Sequence, residues 1–397
     1  MNQKLILFFI LGIDTLILLF QTLHLSISAA EASLLYGNFS LLQFLVNLAL
    51  KIFGHNDTAL RLVTIIFHLM SAVIMYLISK RYVPLERNRI WLVLIFILLP
   101  GVVSSAIVVN NAGIVIFGIL LYIYLSEKIS LIYLNILLLV FSLVDIGFAY
   151  LFLGLAVYYV FEKRYKLFVY VISLYIFNSI LYGFDVNGSP SGHFLDTIGV
   201  YSAIFSPIIF IYIFYTLYRR YLTNKLNLIW YISSTALILS LVLSFRQRIA
   251  VEHFAPYLII ALPLAAESFI SSYRVRLKMY RTKYKLAFII SFSFLLINTL
   301  AIFFNKELYL IVDNPKKHFT YDMDVAKDLA KKLKNDDISC ITTDYKMQER
   351  LYFYGIQKCK CYNLQEVSLN KKAVANVTIS YKNIILYKAN VTKVNNE

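Results

Sequence analysis

The chain alternates between long apolar runs and short polar interruptions over its first three quarters. Nearly charge-free blocks of about 17–22 residues recur, the length of helix that crosses roughly 30 Å of hydrocarbon. They predict membrane helices near 4–24, 58–79, 90–108, 112–126, 129–144, 146–161, 167–183, 199–218, 226–244, 257–272 and 286–304. The pattern describes an α-helical polytopic membrane protein of about eleven transmembrane helices. The first block is longer than the apolar core of a secretory signal, so it reads as an uncleaved first span. Residues 129–161 read as two spans turning near Ser142–Gly147.

Two regions break the pattern. Residues 24–61 collect Glu31, Tyr36, Lys51, His55, Asp57 and Arg61 between two apolar blocks. The middle of this stretch, Leu41 to Phe53, is amphipathic and suits a helix lying in a membrane surface. After Phe304 the sequence turns polar and mixed. Val325, Ala326, Leu329 and Leu333 recur at helical spacing. Residues 338–343 read as a strand, Tyr345 to Tyr354 as a helix stopped by Gly355, and 377–381 and 383–387 as further strands. The expected organisation is a transmembrane domain over 1–304, with first outer loop 25–57, and a small α/β domain over 305–397.

Composition agrees, with 60% hydrophobic and 15% charged residues, where soluble domains carry about 25% charged. The net charge of +16 would suggest nucleic acid in a soluble chain. Here the cations fall on alternate loops. Lys80, Arg81, Arg87 and Arg89 fill one such loop, and Arg274, Arg276, Lys278, Arg281, Lys283 and Lys285 fill another. The opposite loops before residue 305 hold only Lys51, Arg61, Arg246 and Arg248. By the positive-inside rule the N-terminus is cytoplasmic. The stretch 24–61, the loops 184–198 and 245–256 and the C-terminal domain then lie outside, and no nucleic-acid partner is expected. All three cysteines, Cys340, Cys359 and Cys361, sit in the C-terminal domain, where Cys340 can pair with either of the others. No histidine or fourth cysteine stands near, so no metal site is expected there.

Several residues are candidates for chemistry. Glu31 lies among Ala29, Ala30, Ala32, Leu34 and Leu35, surroundings that suit a general base as well as a plain loop carboxylate. Asp57 precedes Thr58-Ala59-Leu60 and reads as a helix N-cap. Arg61, one turn into that helix, opposes the helix dipole and calls for an anion, either Asp57 or a substrate phosphate. Arg246 and Arg248 read as phosphate ligands or as anchors to lipid headgroups. Asp14 is deep in the first span without an identifiable partner, His68 reads as a core histidine, and Asp145 reads as a cap at a turn.

The run AAEASLLYGN, followed by LLQFLVNLALKIFGHNDTALR, resembles the first outer loop and second helix of GT-C glycosyltransferases. It is most similar to the bacterial branch of glycosyltransferase family 39, which includes protein O-mannosyltransferases and aminoarabinose transferases. That family shows an acidic pair, a later Tyr, a surface helix ending in Phe-Gly, then Ala-Leu-Arg. Here these are Glu31, Tyr36, Phe53-Gly54 and Ala59-Leu60-Arg61. The match covers roughly 1–125 and extends more loosely over 226–272.

The resemblance implies a GT-C-like fold in a bacterial inner membrane with the C-terminal α/β domain in the periplasm. It implies a polyprenyl-phosphate sugar donor and a lipid, glycan or protein acceptor. Glu31 would deprotonate the acceptor, with inversion at the sugar carbon. Arg61, Arg246, Arg248 and His253 would bind the donor phosphate, and Tyr36, Asp57, Asn110 and Asn111 would line the pocket. Two departures stand out. Ala30 replaces the first acid of the pair, and Asn110-Asn111 stand where the family has an Asp. An amide is a poor ligand for a hard cation, so a divalent cation is left open and no metal ligand is assigned. The departures also admit a second reading, a non-catalytic lipid-glycan flippase or membrane scaffold derived from such an enzyme.

Overall fold

The apolar runs fold as helices, and prolines decide where several of them break. The computed structural model describes residues 3–183, 192–312, 314–369 and 375–393. Residues 184–191, most of one expected outer loop, lie outside that set. In chain order the helices begin with α1 (Gln3–His24), α2 (Ala29–Tyr36), α3 (Leu41–Phe53), α4 (Asp57–Tyr82), α5 (Glu86–Leu98) and α6 (Pro100–Ile107). Next come α7 (Ala112–Leu125), α8 (Leu131–Ser142), α9 (Ala149–Phe161), α10 (Tyr165–Tyr182), α11 (Phe194–Phe205) and α12 (Pro207–Leu222). They end with α13 (Leu228–Ser244), α14 (Val251–Ile259), α15 (Leu262–Val275), α16 (Lys278–Phe303), α17 (Ala326–Asn335) and α18 (Tyr345–Phe353).

Helices α1, α4, α10 and α16 are each long and apolar enough to cross a membrane. Three pairs reach that length together but bend at short breaks: α5–α6 by 59°, α11–α12 by 106° and α14–α15 by 41°. Each had been expected as a single span. Pro100 lacks an amide hydrogen and holds Leu99 at ψ 127°. Ser206, at φ 68°, turns the chain before Pro207. Pro263 opens α15. Helices α7, α8, α13 and the segment Ile146–Phe161 are shorter apolar helices. Four long helices, three bent pairs and four short helices make eleven apolar elements among the described residues. A fourth pair, α2–α3, bends by 92°, and its α3 coincides with the amphipathic stretch Leu41–Phe53. The turn between 129–144 and 146–161 falls where two spans required it.

The chain divides into two compact units. One comprises Met1–Thr15, Thr64–Ala106 and Asn110–Thr299; the other comprises Leu16–Val63, Ile107–Val109 and Leu300–Glu397. The first outer loop, expected with the transmembrane domain, therefore groups with the C-terminal segment.

The first unit is helical around one continuous apolar core. Deep in it, His68 Nε2 lies 2.8 Å from Asp14 Oδ2, both side chains buried. This supplies the partner that a carboxylate within a span needs.

In the second unit, α17 and α18 pack with a three-stranded antiparallel sheet of order β1 (Tyr362–Glu366), β3 (Ile384–Lys393), β2 (Val377–Tyr381). Helix α17 buries Ala326, Leu329, Ala330 and Leu333 on one face. The strand expected over 338–343 is reduced to isolated bridges, Cys340 with Gln357 and Thr342 with Asn363, while β1 was not anticipated. Cys340 pairs with Cys359, and Cys361 is exposed and free.

Candidate functional site

In the second unit the chain folds its polar groups around Glu31. Ser28 ends an extended segment and caps α2: its hydroxyl accepts from the Glu31 amide at 3.2 Å, and Glu31 Oε2 accepts from the Ser28 amide at 2.9 Å. This reciprocal box satisfies two otherwise unpaired helix-end donors. Arg61 then grips the carboxylate from α4, donating from Nε to Oε1 at 3.1 Å and from Nη2 to Oε2 at 2.9 Å. The Val109 amide adds a bond to Oε1 at 2.9 Å. Four donors fill the acceptor capacity of the carboxylate. Glu31 and Arg61 are both 0% exposed. Arg61 also donates to the carbonyls of Leu25 (2.9 Å) and Ser26 (2.8 Å), so it pins the chain that enters α2. Its hydrogen-bonded anion is thus Glu31, whereas the sequence suggested Asp57 or a phosphate.

Asp57 is not the cap of α4. Asn56 Oδ1 accepts from the Ala59 amide at 2.7 Å and takes that role. Asp57, buried, instead accepts from the Tyr354 hydroxyl at 2.6 Å and pairs with Lys327 Nζ at 2.7 Å. Tyr354 in turn accepts from the Ile27 amide at 2.9 Å. Burial pushes its hydroxyl pKa well up, with Asp57 beside it adding to the effect, so it stays a donor. Tyr36 packs edge-on against Tyr352, ring centres 5.2 Å apart.

The first unit holds the remaining candidates. Asp145 sits in the turn between α8 and the segment that leads into α9. Its Oδ1 accepts from the Gly147 amide at 2.7 Å, and its Oδ2 accepts from Asn111 Nδ2 at 2.5 Å. A Cβ at Gly147 would lie 2.8 Å from Asp145 Oδ1 and 3.6 Å from His253 Nδ1, so the three groups crowd one spot that only glycine leaves open. Burial pushes the Asp145 carboxyl above its usual range, against the opposing pull of the Gly147 amide, His253 and Asn111. Asn110 Oδ1 accepts from the Ala112 amide at 3.0 Å at the start of α7. Thus the two amides, expected to line a pocket, secure a helix start and a buried carboxylate.

Arg246 and Arg248 are exposed in the loop before α14, and their side chains make no hydrogen bond or ion pair among the described residues. Their guanidinium forks are open to an anion. Sequence reasoning missed Tyr354, Lys327 and the Asn111–Asp145 bond. None belongs to a local pattern, because each joins residues at least 34 positions apart.

No family model matches the chain, and no curated protein matches it. Solved structures do. The crystal structure of ArnT from Cupriavidus metallidurans in the apo state is similar over 87% of this chain and 74% of that one, at 12% identity and a TM-score of 0.52. The same protein bound to undecaprenyl phosphate is similar over 89% and 75%, at 11% identity and a TM-score of 0.53. At this identity the likeness is one of fold. The chain is a multi-pass membrane protein with a GT-C-like fold, the fold of ArnT.

Proposed function

We propose that this protein is a membrane glycosyltransferase that moves a sugar from a polyprenyl-phosphate donor to a hydroxyl or phosphate of a lipid, glycan or protein acceptor. We place it in a bacterial inner membrane, with its chemistry on the periplasmic side. The observation that carries the reading is the fold shared with a protein solved with undecaprenyl phosphate bound. In the proposed step Glu31 takes the acceptor proton, and the acceptor oxygen forms a bond to the anomeric carbon with inversion. The bond from that carbon to the donor phosphate breaks, and the polyprenyl phosphate leaves with the electron pair. The free forks of Arg246 and Arg248, with His253, suit the charge that develops on the phosphate.

Because Glu31 already accepts four hydrogen bonds, an acceptor must displace one donor. The neutral amides of Ser28 and Val109 are released at lower cost than the charge-assisted Arg61 bonds.

The saturation of Glu31 also favours a second reading, a protein that binds the lipid-linked sugar without turning it over. Reconstitution in vesicles with a polyprenyl-phosphate sugar separates the two. Protein-dependent release of free polyprenyl phosphate, with labelled sugar on an acceptor, supports transfer. Stable donor binding with no release supports the second reading.

A further inference from the structure

A cavity of about 1300 Å³ lies in the first unit among α5, α12, α15 and α16. Its walls are aliphatic and aromatic, with Trp91, Tyr212, Phe269, Phe288 and Phe292 prominent. Rings bridge the helices around it: Trp91 meets Phe288 and Phe292 edge-on at 5.6 and 5.4 Å, and Phe269 meets Phe288 at 5.7 Å. One end is different. Arg87 at the start of α5, Arg274 at the end of α15, and Lys283 and Lys285 near the start of α16 line the same end of the cavity. All four are exposed, and none of their side chains makes a hydrogen bond or ion pair among the described residues. Neighbouring cations are tied back: Arg276 donates to Tyr284, and Arg281 donates to the carbonyls of Arg276 and Arg274. No Asp or Glu lines the cavity. Glu267, the acid of α15, pairs with Arg220, and Glu86 is exposed at the start of α5.

From Lys283 to Leu295, the deepest contact on α16, the helix rises about 18 Å. One leaflet of a bilayer is roughly 15 Å of hydrocarbon. The volume opens at the surface of the helices, so an apolar groove of this size, one leaflet deep and lined by cations at one end, has the shape of a lipid site. Basic pockets between membrane helices recognise anionic headgroups. We infer that this cavity binds an acidic phospholipid, its acyl chain along α16 and its headgroup phosphate held by Arg87, Arg274, Lys283 and Lys285. The site stands apart from the proposed transfer chemistry and does not rest on it.

The test uses the full chain in vesicles of phosphatidylcholine, with and without phosphatidylglycerol, and counts retained lipid by native mass spectrometry. Wild-type protein retains phosphatidylglycerol in preference to phosphatidylcholine. The combined Arg87→Gln, Arg274→Gln, Lys283→Gln and Lys285→Gln variant weakens that retention on the order of a hundredfold or more, from the usual worth of several cations at a membrane surface. Arg274→Lys with Arg87→Lys, which keeps the charge, keeps the preference. Ala266→Phe with Ser291→Phe obstructs the cavity along the path of the acyl chain and abolishes retention with the cations intact. Unchanged preference in the Gln variant, or unchanged retention in the obstructed variant, overturns the inference. So does displacement of phosphatidylglycerol by an equal amount of undecaprenyl phosphate. Melting in pure phosphatidylcholine checks that each variant is folded. If the Gln variant is not, the Lys and obstructed variants decide.

Discussion

Two buried carboxylates organise the polar parts of this molecule, and they are satisfied in opposite ways. Glu31 is held by four donors, two of them from the Arg61 guanidinium. Asp145 is held by neutral donors, the Gly147 amide and the Asn111 side chain. A guanidinium in a bidentate pair offsets the loss of water around a carboxylate. Amides offset it only in part, and burial raises the Asp145 pKa. One carboxylate is paired with a buried guanidinium. The other sits where its charge is adjustable, beside an intermediate-exposed His253.

The largest effect should come from breaking the locked pair. Arg61→Met leaves Glu31 buried without its cation and is expected to cost about 3–5 kcal/mol, read as loss of the folded species in thermal melts. Glu31→Leu combined with Arg61→Met should recover most of that, since apolar residues of similar size often replace buried pairs at little cost. Equal melts for the single and double variants would show that the two residues do not act as a unit.

A smaller loss is expected one layer out. Tyr354→Phe removes the bond to Asp57 and strips the Ile27 amide of its acceptor. The expected cost is about 1.5–3 kcal/mol, measured by denaturation in detergent.

Asp145→Asn should change stability by about 1 kcal/mol or less, because the Asn oxygen still accepts from Gly147 and Asn111 can turn its own amide to match. Its signature is pH dependence. The native Asp145 pKa lies above the ordinary value of about 3.9, so its contribution to stability is full below about pH 4. That contribution is lost as pH rises through the native value. Melts across this range should therefore be flatter for the Asn variant than for wild type, and parallel curves would contradict the assignment.

The smallest effect on stability is expected at the exposed loop. Arg246→Gln with Arg248→Gln should stay within about 0.5 kcal/mol, yet weaken binding of a polyprenyl-phosphate donor in a vesicle assay. Unaltered donor affinity would remove both residues from the proposed phosphate site.

Much of the fold was legible because membrane helices announce themselves by length and hydropathy, and α3 by its amphipathic run, whereas α2, eight residues inside a stretch that reads as loop, was not. The breaks at Pro100 and Pro207 were written in the sequence too, but an apolar count reads through a proline that a hydrogen-bond ladder cannot. Glu31 and Arg61 were legible as candidates. Their mutual bond was not, since it joins residues 30 positions apart. Asp57 was misread for a local reason: Asn56, one residue earlier, is an equally good cap, and only the position of Tyr354 and Lys327 decides between them. Strand β1 was lost to a short, polar sequence, Tyr362–Glu366, whose pairing with β3 is fixed by tertiary register.

The most direct test is the turnover of the Glu31→Gln protein in vesicles supplied with a polyprenyl-phosphate sugar and acceptor, with donor affinity measured on the same preparation. Our account predicts that donor binding holds while kcat falls by about 10²–10⁴, the usual worth of a general base. Sugar transfer near the wild-type rate by that variant would contradict it.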